Sequence, residues 1–320
     1  MDDRCTNSLM TEQPLLVIGG AGFIGTNLVQ MREDHCLPTL VLDRIPLALQ
    51  GRHTQYLEGD ASLVDVVIDA LDRSEADLVI HLAANSDIQK GQRDPTVDHR
   101  DTLGTTVALM QAAAISAVRN VIFASSSAVF GNLSEPIDMQ SLAEARPESS
   151  YGYCKLMSEM LIAGGVHHGY INSALIARFP NVVGPHATHG VVFDFINRLK
   201  RDAHTLNVLG DGKQSKPYLH VDTLLRTLNA AAARSKNPVE TVGIGPTDSL
   251  QVSDIVDLVS KEMQVTPKVN FQESKTGWPG DIPTYSFGQT ALHSLGLSIQ
   301  TTSRYEVLRA IRDLLSKRDA

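Results

Sequence analysis

The amino-acid sequence predicts an α/β fold: a doubly wound parallel sheet with a smaller, interleaved α/β lobe toward the C-terminus. Three observations predict it. Short runs that are apolar almost throughout recur at 15–18, 39–42, 78–82, 120–124 and 174–177. Stretches of helical pattern separate them, and a glycine-rich turn joins the first run to the first such stretch. Strands alternating with helices build parallel βαβ units. Strands with no polar alternate position are buried on both faces, as such a sheet requires.

Taken in order, Leu15–Ile18 is a compact strand that ends in glycines, and Phe23–Met31 has helical composition. Thr39–Leu42 is a second strand, ending at Asp43. Leu63–Leu71 is an amphipathic helix leading to the strand Leu78–Leu82. The next helix is expected over Thr102–Val118, followed by the strand Asn120–Ala124, which runs into three serines. The helix Tyr151–His168 and the strand Ala174–Ala177 complete the first half. Beyond Pro180 the pattern changes. NVVGPHATHG and GDGKQSKP are punctuated by Gly and Pro, and four helices follow near 192–201, 222–234, 252–263 and 304–317. This divides the chain into a first domain over 11–180, with a return segment at about 217–245, and a second lobe from 181–216 and 246–320. The opening MDDRCTNSLMTE has charge and no apolar run, so it reads as a ragged leader and not a secretory signal.

Composition narrows the function classes. The 320 residues are 42% hydrophobic and 20% charged, which suits a folded domain with a sizeable core and excludes global disorder. No stretch approaches the ~20 apolar residues that a membrane helix needs. The formal net charge of −8 argues against nucleic acid or an anionic membrane as partner. Three cysteines without a CxxC suit a reducing, cytoplasmic setting. His186 and His189 are three apart but lack a convergent ligand set, so no metal site is expected.

Two segments carry chemistry. In Gly19-Gly20-Ala21-Gly22-Phe23-Ile24-Gly25, glycines at 19, 22 and 25 permit a tight turn, close approach of a pyrophosphate, and close helix–sheet packing. The helix that follows offers its N-terminus to phosphate. Asp43, at the end of the next strand, is placed to grip ribose hydroxyls and to repel a 2′-phosphate, which favours NAD; Arg44 beside it opposes that preference. Asp60 has two readings, an acceptor for an adenine amino group or a helix cap near Ser62. The second segment is Tyr151-Gly152-Tyr153-Cys154-Lys155, which puts Tyr151 and Lys155 on one helix face. A lysine ammonium and a nicotinamide cation would favour the tyrosine phenolate. Serines at the carboxyl end of the strand Asn120–Ala124 point toward the crevice where ligands bind in such folds.

The chain resembles the extended short-chain dehydrogenase/reductases, specifically the NAD-dependent nucleotide-sugar epimerases and dehydratases. GGAGFIG, Asp43, Gly59-Asp60, HLAA, SSSAVFG, YGYCK, RFPNVVGP, LGDGKQSKPYLHVD, IGP and PGD appear in family order over nearly the whole length. The resemblance implies a Rossmann-type fold and the catalytic residues Ser126, Tyr151 and Lys155. It implies NAD contacts at Gly19, Gly22, Phe23, Ile24, Gly25, Asp43, Asp60 and Ala61. Further contacts are implied at Leu82, Ala83, Ala84, Tyr151, Lys155 and Phe179. Ser126, Asn181, Lys216 and Trp278 would face the nucleotide-sugar substrate. A homodimer through the helices 102–118 and 151–168 is also implied, with Leu109, Met110, Leu156 and Leu161 as apolar candidates that could instead pack on their own sheet.

By the same resemblance the reaction is a UDP-glucose 4-epimerase-like one. Tyr151 takes the C4 hydroxyl proton, the C4 hydride moves to NAD, and the 4-keto sugar turns before the hydride returns. A 4-dehydrogenase releasing the keto sugar, including one acting on a GDP-linked sugar, would use the same residues. A 4,6-dehydratase ranks below, because Ser127 and Ala128 stand where dehydratases carry an Asp-Glu pair. A non-catalytic NAD-binding sensor would need none of Ser126, Tyr151 and Lys155. The sequence departs from the family pattern at Asp101, usually Asn, and at Lys216 and Trp278, usually the arginines that clamp the nucleotide diphosphate.

Overall fold

The computed structural model describes residues 8–49, 51–116, 118–132, 136–138, 145–274 and 282–316. Seven parallel strands form the central sheet: β1 (Leu15–Ile18), β2 (Thr39–Asp43), β3 (Thr54–Glu58), β4 (Leu78–His81), β5 (Asn120–Ala124), β6 (Ser173–Arg178) and β11 (Val239–Gly243). Their spatial order is β11-β6-β5-β4-β1-β2-β3. The chain winds outward from β1 to β3, then crosses back to β4 and winds the other way. The carboxyl ends of β1 and β4 therefore flank the crevice where the winding reverses.

The near-uniform apolarity of β1, β2, β4 and β5 is explained by two buried layers. On one face Leu15 and Val17 join a cluster with Leu28 and Val29 of α1 (Phe23–Asp34) and Leu224 and Leu228 of α8 (Val221–Arg234). On the other, Leu16 and Ile18 join Val67 of α2 (Val64–Ser74), Leu109 of α5 (Thr105–Ala113) and Ile162 of α6 (Ser150–His167). Successive side chains of one strand thus enter different cores.

A third cluster lies apart from the sheet. It gathers Phe195 of α7 (Val191–Arg201), Leu206 of β8 (Thr205–Val208), Ile255 and Val259 of α9 (Val252–Met263), and Val307 and Ile311 of α11 (Ser303–Ser316). Short strand pairs accompany it. β7 (Asn181–Val183) runs parallel to β10 (Tyr218–His220), and β8 runs parallel to β13 (Lys268–Phe271). β9 (Ser215–Lys216) runs antiparallel to β12 (Leu250–Gln251). His220 fastens α11 to the end of β10: its Nδ1 accepts from the Asp222 amide at 3.2 Å, and its other nitrogen faces Asp313 Oδ2 at 3.0 Å.

Some expectations change. The leader is not ragged over residues 8–13. Leu9 is fully buried in the first cluster, and buried Arg32 of α1 donates to the Leu9, Gln13 and Pro38 carbonyls and to Thr39 Oγ1. One buried guanidinium directs most of its donors to main-chain carbonyls, which fixes the segment beside the amino ends of β1 and β2. The helix expected over 102–118 is also different. The chain forms a π-helical turn, His99–Gly104, before the shorter α5. Thr102, Thr105 and Thr106 favour that local departure by bonding their hydroxyls to nearby loop and backbone groups. The expected dimer residues also sort differently: Leu109 and Met110 are buried in the second cluster and Leu156 packs on a fourth, while Leu161 stays exposed beside Tyr153, Met157 and Met160. Among the described residues no helix is long and apolar enough to cross a membrane.

Candidate active site

A cleft of about 840 Å³ runs across the carboxyl ends of β1, β2, β4 and β5 and continues to α7 and β9. Every described residue expected from the sequence to bind cofactor or substrate lines it. Trp278 lies outside the described residues.

The glycine loop forms one end. Gly19 has φ +84°, and a Cβ there would come within 2.5 Å of the Ala83 amide nitrogen. The ends of β1 and β4 approach so closely that only glycine fits. A Cβ on Gly25 would meet Gly20 Cα at 2.5 Å, so this glycine lets α1 pack against the loop. Asp43 then ties the loop down: Oδ2 accepts from the Ala21 amide at 2.9 Å and Oδ1 from the Ile45 amide at 3.0 Å. Asp60 Oδ1 accepts from the amide and hydroxyl of Ser62 at 2.9 and 2.8 Å, so that oxygen has the local turn role weighed from sequence. Ala61, Leu82, Ala83 and Ala84 complete this wall.

The second end is built by α6. Ser149 caps it, accepting from the Gly152 amide at 3.1 Å, which sets Tyr151 in the first turn and Lys155 one turn later. Lys155 Nζ donates to the Ala124 carbonyl at 2.6 Å, locking the helix to the end of β5. The same nitrogen lies 5.8 Å from the Tyr151 ring centroid and 4.8 Å from that of Phe123. Ser126 accepts from the Ala128 amide at 3.1 Å and hydrogen-bonds the Tyr151 side chain. Ser126, Tyr151 and Lys155 are therefore brought together at the strand end.

Burial dominates their titration. It pushes Tyr151 up to about 12, the Asp98 charge adds to the rise, and the bond with Ser126 opposes it. Burial also brings Lys155 down from 10.5 to about 7, with Glu159 and Cys154 opposing. The phenolate expected beside a lysine ammonium and a nicotinamide cation is not favoured by the protein's groups alone. In the structure desolvation disfavours both charged forms, and the protein's own groups leave Tyr151 a phenol at neutral pH.

Behind this pair lies a polar network that sequence reasoning missed. Glu159 receives two bonds from the Arg178 guanidinium, 3.0 Å from Nε and 2.7 Å from Nη2, and a short bond from Ser125 Oγ. Both charged side chains are buried, and Arg178 also stacks 4.7 Å from the Phe130 ring centroid. One further step of the Tyr151–Lys155 spacing reaches Glu159, so helical periodicity alone would have flagged it. His81 on β4 is buried, hydrogen-bonds Thr106 at 3.1 Å, and is pushed down to about 3 by burial and then by the Lys155 charge. It is a neutral imidazole beneath the site.

Toward the far end the cleft is lined by Phe179, Asn181, His186, His189, Arg198 and Lys216. Arg198, whose guanidinium donates to the Asn207 carbonyl at 2.7 Å, was not anticipated. Lys216 is buried on β9.

A doubly wound sheet with a glycine loop at its switch point and a Ser-Tyr-Lys group beside it defines a dinucleotide-dependent enzyme of the extended short-chain dehydrogenase/reductase class. The chain belongs to the NAD dependent epimerase/dehydratase family, whose model matches residues 15–245. Among curated relatives, a UDP-N-acetyl-alpha-D-glucosaminuronate decarboxylase of Bacillus cytotoxicus is 27% identical over 79% of this chain and 81% of its own. A dTDP-glucose 4,6-dehydratase of Streptomyces griseus is 30% identical over 73% of this chain and 74% of its own. A crystal structure of UDP-galactose 4-epimerase superposes with a TM-score of 0.83 at 27% identity, covering 95% of this chain and 99% of that one.

The cleft fits NAD. No side chain caps α1 and its first turn holds no acidic residue, so the helix start is open to a pyrophosphate. A Cβ on Gly22 would meet only the Gly19 carbonyl, at 3.4 Å, which leaves the approach to that helix start clear.

Proposed function

We propose that the chain is a nucleotide-sugar 4-epimerase that oxidises the sugar C4 hydroxyl to a transient 4-keto group and reduces it again. The observation that carries this reading is the convergence of Ser126, Tyr151 and Lys155 on one point of the cleft, beside the glycine loop. Gly19, Gly22, Gly25, Phe23 and Ile24 would hold the pyrophosphate. Asp43 would hold the adenosine ribose, Asp60 and Ala61 would border the adenine, and Leu82, Ala83, Ala84 and Phe179 would line the nicotinamide side. When bound, oxidised NAD supplies the hydride acceptor and a positive charge that favours the Tyr151 phenolate.

The chain's residues do the rest. Ser126 orients the C4 hydroxyl. Tyr151 takes its proton and later gives it back. Lys155, anchored on the Ala124 carbonyl, would hold the nicotinamide ribose and keep Tyr151 in register. Asn181 and Lys216 would meet the nucleotide diphosphate in the lobe formed by 181–216 and 246–320. General base catalysis contributes about 10²–10⁴-fold.

The UDP-galactose 4-epimerase likeness over almost the whole chain supports the epimerase reading. The dehydratase and decarboxylase relatives share the first oxidation step in this reading. Against dehydration, Ser127 and Ala128 offer no carboxylate and neither lines the cleft. The exposed apolar face of α6, with Tyr153, Met157, Met160 and Leu161, supports a homodimer in this reading.

Product analysis from a panel of UDP-, GDP-, dTDP- and CDP-linked sugars tests the proposal. An epimeric nucleotide sugar formed without net NADH is the expected result. Stoichiometric NADH with a released 4-keto sugar would make the enzyme a 4-dehydrogenase. Parent-rate turnover by folded Tyr151→Phe would end the mechanism.

A further inference from the structure

We propose that Asp101 makes the cofactor choice secure by holding Arg44 in an ion pair, so that the arginine beside Asp43 does not serve a 2′-phosphate. This rests on the reading of the cleft as a dinucleotide site and concerns Asp101, where the sequence departs from the family pattern, and its partner Arg44. Arg44 directly follows the ribose-gripping Asp43, and an arginine near that position is what accommodates the extra phosphate of NADP. Left free, Arg44 would counteract Asp43.

It is not free. Arg44 Nη1 donates to Asp101 Oδ1 at 3.0 Å and lies 3.9 Å from Asp60 Oδ2. Asp101 reaches it from the π-helical turn 99–104, whose wide turn places this side chain on the cleft wall. The carboxylate is itself held: Arg100 Nε donates to Oδ1 at 2.7 Å and Nη2 to Oδ2 at 3.1 Å. The Asp101 side chain is 10% exposed, against 46% for Arg44. The carboxylate is thus the fixed partner and the arginine the captured one. Burial alone would raise the Asp101 carboxyl, yet the bonds from Arg100 and Arg44 keep it below its usual range, so it is ionised at neutral pH.

Charges close the argument. Asp43, Arg44, Asp60 and Asp101 line this corner of the cleft and Arg100 is bound to Asp101, so the five side chains sum to one net negative charge beside the expected 2′-position. Asparagine, the residue the family resemblance leads one to expect at 101, would keep the shape and hydrogen-bonding capacity but not the charge. It would release Arg44 toward the ribose and turn the local balance to zero.

The test uses purified full-length protein equilibrated with equimolar NAD and NADP, desalted and denatured, with the released nucleotides quantified. Wild type is expected to release predominantly NAD. Asp101→Asn is expected to raise the NADP:NAD ratio about tenfold, the scale of one regained charge-assisted contact at a half-exposed arginine. In the double variant Asp101→Asn with Arg44→Ala the ratio should return to within about threefold of wild type, because the gain needs Arg44. A ratio unchanged in Asp101→Asn overturns the proposal. So does a gain that survives removal of Arg44, since it would come from general loss of negative charge. Release of no dinucleotide from wild type would overturn both this inference and the cofactor site beneath it.

Discussion

Replacing Glu159 by Gln should destabilise the protein by about 3–5 kcal/mol, the range for removing one partner of a buried ion pair. The structure makes the loss concrete. The Glu159 and Arg178 side chains are 1% and 4% exposed, with a two-point contact at 2.7 and 3.0 Å. Glutamine keeps one acceptor oxygen but turns an amide NH₂ toward the guanidinium. Arg178 would then sit beneath the site as an uncompensated buried charge, and Ser125 Oγ would lose its carboxylate acceptor. Water cannot reach in to replace either bond. Urea unfolding at pH 7.5, followed by two spectroscopic probes with coincident transitions, measures the cost. A second variant, Glu159→Met with Arg178→Met, removes both charges and keeps similar volume. It should be more stable than Glu159→Gln by about 2 kcal/mol or more, because the charge that made the single change costly is gone. A Glu159→Gln protein within about 1 kcal/mol of wild type would refute the reasoning, for the pair would then be solvated or dispensable.

Three further outcomes are expected. His81 is neutral when folded, with its pKa near 3 against an ordinary 6.5, so the unfolded chain binds the extra proton first as pH falls. Stability should be fully present above about 6.5 and decline as pH falls toward 3; wild type should lose about 2 kcal/mol more than His81→Gln between pH 7.5 and 5, read by urea unfolding at each pH. Leu9→Ala should cost about 2–5 kcal/mol, read from the urea midpoint, because Leu9 is fully buried; a leader without structure would give no change. Met160→Glu with Leu161→Glu should give a monomer by light scattering while circular dichroism stays native, because both side chains are exposed on α6; an unchanged assembly state would remove the proposed dimer face.

Much of this protein was legible in order along the chain. The apolar runs announced β1, β2, β4, β5 and β6, since a strand buried on both faces must be apolar at every position. The glycine spacing announced the turn at the switch point, because Gly19 and Gly25 leave no room for a Cβ. The Tyr151–Lys155 spacing announced one helix face. β3 was not legible: its pattern is mostly exposed, so it lacks the apolar run that marks its neighbours. The short pairs β7–β10, β8–β13 and β9–β12 were not legible either, because two to four residues carry too little periodicity.

What only the tertiary structure decided are the pairings between distant segments. Nothing local to Arg32 says that it will hold residues 9 and 13, nor to Glu159 on α6 that Arg178 will meet it from the end of β6. Arg44 and Asp101 are 57 residues apart, and nothing local to either says that they will pair. The titration of Tyr151 and Lys155 was likewise beyond the sequence. Spacing sets which groups are neighbours, but the sign of a pKa shift depends on how much water the fold removes, and here that removal outweighs the neighbouring charge.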